Sequence, residues 1–167
     1  EKVIKNLYGN HTKIEGCRLL KGGLFNTTYF VKTNSDRVGI VLRVAPINKH
    51  LLLDFEKNMM SAESTFYTML KENNIPSSEV IHYDNSADII DREYIVFRYI
   101  PSFPMNEVSV SAEVKTRLYH QLGEIIASFH DIQSGKFGWL RPKDELGMYA
   151  KWSAFIRQFT QEIADKT

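Results

Sequence analysis

A chain of 167 residues with 43% hydrophobic content is long enough to bury a sizeable core, by itself or as part of a larger domain. Its 21 basic residues nearly cancel 20 acidic ones, and a net charge of +1 leaves no field to hold nucleic acid or a membrane surface. The lone Cys17 excludes an internal disulfide and a cysteine-based metal site, and no apolar run has secretory-signal or membrane-spanning form, so a soluble cytoplasmic protein is expected.

Val3, Ile4, Leu7 and Tyr8 fall at helical spacing and predict a short opening helix within Glu1–Lys13. Cys17–Leu20 and Thr28–Thr33 are β-prone runs flanking Gly22-Gly23, and Asn34-Ser35-Asp36-Arg37 turns the chain into the apolar run Ile40–Val44. These three strands predict an antiparallel meander. From Asp54 to Asn73 the period changes, with Phe55, Met59, Ala62, Phe66 and Leu70 forming the stripe of an amphipathic helix. Two further strands follow at Val80–Tyr83 and Tyr94–Tyr99.

Pro101 and Pro104 interrupt regular structure, and the pattern beyond Ser111 is helical. Val114, Leu118, Leu122, Ile125, Ile126 and Phe129 share one stripe, which predicts a long helix over Ser111–Asp131 with Ser111 as N-cap. Trp152, Phe155, Ile156 and Phe159 predict a last helix from Met148 or Tyr149 to Ala164.

This element order is that of a kinase small lobe, and the residues at its joints carry a family resemblance. Lys21-Gly22-Gly23-Leu24-Phe25-Asn26-Thr27-Thr28-Tyr29 resembles the first hairpin of the aminoglycoside phosphotransferase and choline kinase-like family, which has a protein-kinase-like fold. A turn of Gly22 and Gly23, free of Cβ atoms, can approach phosphates closely and aim N–H groups at them, with Asn26 and Thr27 adding side-chain donors. An ordinary hairpin turn would ask for glycine equally.

Arg43 is the one charge in the strand Ile40-Val41-Leu42-Arg43-Val44, the position where protein kinases place a phosphate-holding lysine paired with a helix glutamate. The resemblance gives Glu63 that partnership; Glu56, two turns earlier on the same helix, is the rival, and a solvent-facing strand arginine is the plain alternative. Tyr94–Pro101 resembles the strand entering a kinase hinge, with Phe97 behind the nucleotide and Arg98, Tyr99 and Ile100 forming the linker whose backbone meets a purine edge. Ile125–His130, followed by Phe137-Gly138-Trp139, matches the family's helix ending in histidine and its Phe-Gly pair; His130 also suits a helix C-terminus electrostatically.

The family's catalytic His-x-Asp-x-x-x-x-Asn does not follow. His82-Tyr83-Asp84 has Ile89 where the metal-binding asparagine belongs and precedes the hinge, and His130-Asp131 lacks the spacer. The sequence therefore assigns no catalytic residue and no metal ligand.

The resulting expectation is an α+β kinase-like small lobe at residues 1–100, built on a five-stranded antiparallel sheet and one main helix. A linker at 101–110 and the first helices of a helical large lobe at 111–167 follow. The resemblance implies ATP or GTP with Mg2+ as cofactor, transfer to a hydroxyl of an aminoglycoside or amino-alcohol-like molecule, and a catalytic loop beyond these residues, so that the chain alone would be inactive. A non-catalytic kinase-like module that holds a nucleotide or partner is the alternative, and a generic α+β ligand-binding domain is a third reading. Acceptor, nucleotide choice and oligomeric state stay open.

Overall fold

In the computed structural model, residues 1–21, 23, 25–48, 52–57, 59–140 and 148–166 are described. Strands β1 (Ile14–Leu20), β2 (Thr27–Thr33), β3 (Asp36–Val44), β4 (Val80–Asp84) and β5 (Tyr94–Arg98) form one antiparallel sheet in the order β1-β2-β3-β5-β4. Alternation divides the apolar residues of this sheet between its two faces.

On one face, Val31, Ile40, Val44, Tyr94 and Val96 pack with Val3 and Ile4 of helix α1 (Lys2–Tyr8). Seven residues make a marginal helix in isolation, so α1 depends on this burial and on its tether. Thr12 supplies the tether: its hydroxyl donates to the Tyr8 carbonyl at 3.0 Å and lies 2.9 Å from the Ser35 hydroxyl at the β2–β3 turn. On the other face, Ile95 and Phe97 pack with Ala45 and with Met60 of helix α3 (Met59–Glu72). Strand β5, covered from both sides, leaves Tyr94, Ile95 and Val96 with no exposed surface. Burying each such side chain contributes roughly 2 kcal/mol.

The helix expected over Asp54–Asn73 is described as α2 (Asp54–Lys57) and α3, with residue 58 outside the described set. Helix α4 (Ala112–His130) begins as expected at Ser111, whose hydroxyl accepts the Val114 N–H at 3.4 Å. Phe129 of α4 meets Phe66 of α3 edge-on, with ring centroids 6.1 Å apart.

The last helix differs from the expectation. Met148 and Tyr149 form strand β7 (Met148–Tyr149), paired with β6 (Phe137–Gly138), and helix α5 starts only at Trp152 and runs to Lys166. The cause is aromatic packing: Trp139, Tyr149 and Trp152 converge on Phe155 at centroid distances of 5.8, 5.8 and 5.3 Å. That cluster draws Tyr149 into an extended partnership with Phe137 before the helix can begin. Among the described residues, no helix is long and apolar enough to cross a membrane.

Candidate functional site

Arg43 projects from β3 toward α3, where its guanidinium forms an ion pair with the Glu63 carboxylate. Helical periodicity brings Glu63 to this face, and both side chains remain partly accessible, at 33% for Arg43 and 23% for Glu63. The rival Glu56 is occupied locally, accepting the Leu53 N–H at 2.7 Å ahead of α2.

Beneath the pair lies an aromatic floor. The Arg43 guanidinium sits 5.6 Å from the centre of the Phe97 ring, and Tyr67 meets Phe97 edge-on at 5.0 Å. Burial, reinforced by the Glu63 charge and opposed by Arg43, pushes the Tyr67 phenol above its ordinary pKa, so it stays a neutral hydrogen donor.

The remaining expected residues separate into those that face this pair and those that do not. Gly22 lies outside the described residues. At Gly23 an added Cβ would stand 2.9 Å from the Asn26 carbonyl oxygen, so the tight turn requires glycine there. Asn26 and Arg43 share the wall of one cavity, but Thr27 turns to the opposite face with Tyr29 and Val31. Thr28, directly opposite Arg43 in the β2–β3 ladder, is the hydroxyl that shares its face.

The hinge residues also divide. Phe97 is buried beneath Arg43, whereas Arg98 points to the α1 face and is held by Glu79 at 2.6 Å and Asp36 at 3.2 Å. Alternation along β5 sets this side-chain direction, and the expected linker role of Arg98 is one of its backbone. The Tyr99 N–H donates to the Gly39 carbonyl at 3.2 Å, and its ring lies 4.5 Å from that of Phe30. Ile100 is half exposed, and its carbonyl accepts the Ser102 hydroxyl at 3.1 Å.

A cavity of about 560 Å3 opens beside the ion pair, with Asn26, Arg43, Glu56, Lys57, Glu63 and Glu93 on its polar side and Pro46, Phe66 and Trp139 among its apolar walls. Such a wall excludes water from one side of the guanidinium and strengthens its attraction for an anion. Residues 97–100 are not part of its lining. Thr28, Phe30 and Val41 share the sheet face of Arg43 without lining this cavity, as alternation through the β2–β3 register implies. Trp139 carried no signal beyond its Phe-Gly neighbours. Among the described residues no three His, Cys, Asp or Glu side chains converge to hold a metal ion.

The sequence pattern of the phosphotransferase enzyme family (APH) matches residues 16–162, nearly the whole chain. The chain belongs to this family. Solved structures share the fold of this phosphotransferase-family chain. A Ralstonia eutropha JMP134 protein named as an aminoglycoside phosphotransferase aligns at 16% identity and TM-score 0.53, over 79% of this chain and 37% of its own. A Haemophilus somnus 129PT protein named as a fructosamine-3-kinase aligns at 18% identity and TM-score 0.57, over 93% of this chain and 48% of its own. The phosphotransferase-family chain thus spans less than half the length of either relative. No curated protein sequence matches it.

Proposed function

We propose that this chain is the nucleotide-holding part of a cytoplasmic small-molecule kinase. It would hold ATP or GTP for transfer of the γ-phosphoryl group to a hydroxyl of an aminoglycoside, amino alcohol or amino sugar. The observation that carries the reading is the Arg43–Glu63 ion pair lining one cavity with Asn26 of the first hairpin. An arginine oriented by a carboxylate, with one flank against an apolar wall, is suited to binding a phosphate as a fixed cation.

In this reading Gly23 and Asn26 meet the phosphates from the turn and Arg43 meets them from the strand. Thr28, Phe30 and Val41 cover the base and ribose from above, and the Tyr99 carbonyl and Ile100 N–H read the purine edge, the Tyr99 N–H being bonded to Gly39 and the Ile100 carbonyl to Ser102. Arg98 and Thr27 take no direct part, because they share the other face of the sheet. The aminoglycoside and amino-sugar acceptors are suggested by the names of the aligned relatives, and the amino alcohol by the sequence resemblance to choline kinase-like proteins. The lone exposed Cys17 suits a reducing compartment.

Isothermal titration of the chain with ATP and with GTP, each with Mg2+, tests the reading. Saturable binding is expected, weakened about tenfold or more by Arg43→Ala, as for loss of a charge-assisted contact. Equal binding by the two proteins removes Arg43 from the contact set, and absence of binding by the unmodified chain defeats the nucleotide assignment.

A further inference from the structure

Asp36, at the start of β3, reads in the sequence as a turn residue only, yet its carboxylate organises the end of β5. Oδ1 accepts the backbone N–H groups of Val38 and Gly39 at 3.0 and 3.1 Å, while Oδ2 accepts from the Arg98 guanidinium at 3.2 Å. The Gly39 carbonyl in turn accepts the Tyr99 N–H at 3.2 Å. Two consecutive residues are therefore fixed from one carboxylate, Arg98 through its side chain and Tyr99 through the Gly39 peptide.

Further contacts close the arrangement. Glu79 accepts from Arg98 Nε at 2.6 Å, and its backbone carbonyl accepts the Arg98 N–H at 2.9 Å. The Tyr99 ring packs on Phe30, and Phe30 lies so close to Gly39 that a Cβ there would stand 2.8 Å from the ring. The Asp36 side chain is 10% exposed, so its charge is compensated by these donors more than by water. Arg98 and Glu79 are half exposed, and ion pairs of that kind add little to global stability. Their effect is orientation.

We propose that Asp36 is a positioning residue for purine recognition: it sets the Tyr99–Ile100 backbone against the base edge and leaves the phosphate end at Arg43 untouched. The proposal rests on the nucleotide reading above. It separates two parts of one ligand, and the experiment uses that separation.

Binding of ATP and of inorganic tripolyphosphate, each with Mg2+, is measured on the full chain and on its Asp36→Asn and Asp36→Ala variants. Hydrogen exchange of the Tyr99 amide is followed in parallel. Asp36→Ala is expected to weaken ATP about tenfold, the scale of one lost oriented contact, with tripolyphosphate unchanged and Tyr99 exchange faster. Asp36→Asn keeps an oxygen for the Val38 and Gly39 N–H groups and falls between. If Asp36→Ala does not fold, Arg98→Gln, which leaves the turn intact, must show the same selective loss. Equal weakening of both ligands, or undiminished ATP binding, overturns the positioning role. Failure of the unmodified chain to bind either ligand removes the nucleotide reading and this proposal with it.

Discussion

Arg43 and Glu63, 20 residues apart in the chain, are joined by an ion pair that bridges β3 and α3. The bridge fixes where the guanidinium points, and Phe97 beneath it prevents collapse toward the sheet. Partial exposure of both partners sets the energetic scale between a surface pair and a buried one. Glu63→Ala is therefore expected to destabilise the fold by only about 1–2 kcal/mol. Urea denaturation with an unchanged slope checks this, and a loss near zero would place the pair in solvent.

Gly39 has φ +93°, and an added Cβ would meet the Phe30 ring at 2.8 Å and the Val31 carbonyl oxygen at 3.0 Å. Gly39→Ala is expected to cost about 2 kcal/mol or more, from the left-handed backbone and the displaced ring together. The Tyr99 and Phe30 ring resonances should shift in the same variant, since Phe30 packs on Tyr99.

Tyr94 is wholly buried in β5, its hydroxyl has no partner of hydrogen-bonding geometry among the described residues, and burial, with help from Asp84, pushes its pKa up to about 12. A raised folded pKa gives stability that is intact below the unfolded value of 10.0 and is lost as pH rises through the folded value. Tyr94→Phe is expected to be neutral or stabilising at pH 7, because it deletes an unsatisfied buried hydroxyl. It should also flatten the fall in melting temperature above pH 10. A clear loss of stability at neutral pH would mean that the hydroxyl is satisfied.

Hydrogen bonding to Arg98, then its charge, holds the Glu79 carboxyl below its ordinary value of 4.5. A depressed folded pKa contributes stability that is present above the unfolded value and disappears as pH falls through the lower folded one. Carboxyl resonances followed by NMR should therefore titrate Glu79 below 4.5 in the unmodified chain and near 4.5 in Arg98→Gln. An unchanged midpoint in the variant would dissolve the pairing.

The sheet and its flanking helices were legible because each element had one period, and a single charge inside an apolar strand pointed to Arg43. Glu63 was legible for the same reason, at the centre of a regular helix facing the sheet. Arg98 was legible as part of the linker at the end of β5, and alternation from Phe97 turns its side chain to the α1 face. Asp36 was out of reach: its partner Arg98, with the Glu79 that shares it, is brought to it only by the β3–β5–β4 order, which no local pattern encodes. Met148 and Tyr149 suited a helix by spacing, and only the aromatic cluster decides for the strand pair. Gly22, half of the glycine turn, is outside the described residues.

The most direct test of nucleotide binding at the Arg43 face is an amide chemical-shift titration of the chain with ATP and Mg2+. Shifts concentrated at Gly23, Asn26, Thr28, Arg43, Tyr99 and Ile100, with Val3 and Ile4 on the far face unmoved, are predicted. No shifts at saturating nucleotide, or shifts confined to the α1 face, would contradict it.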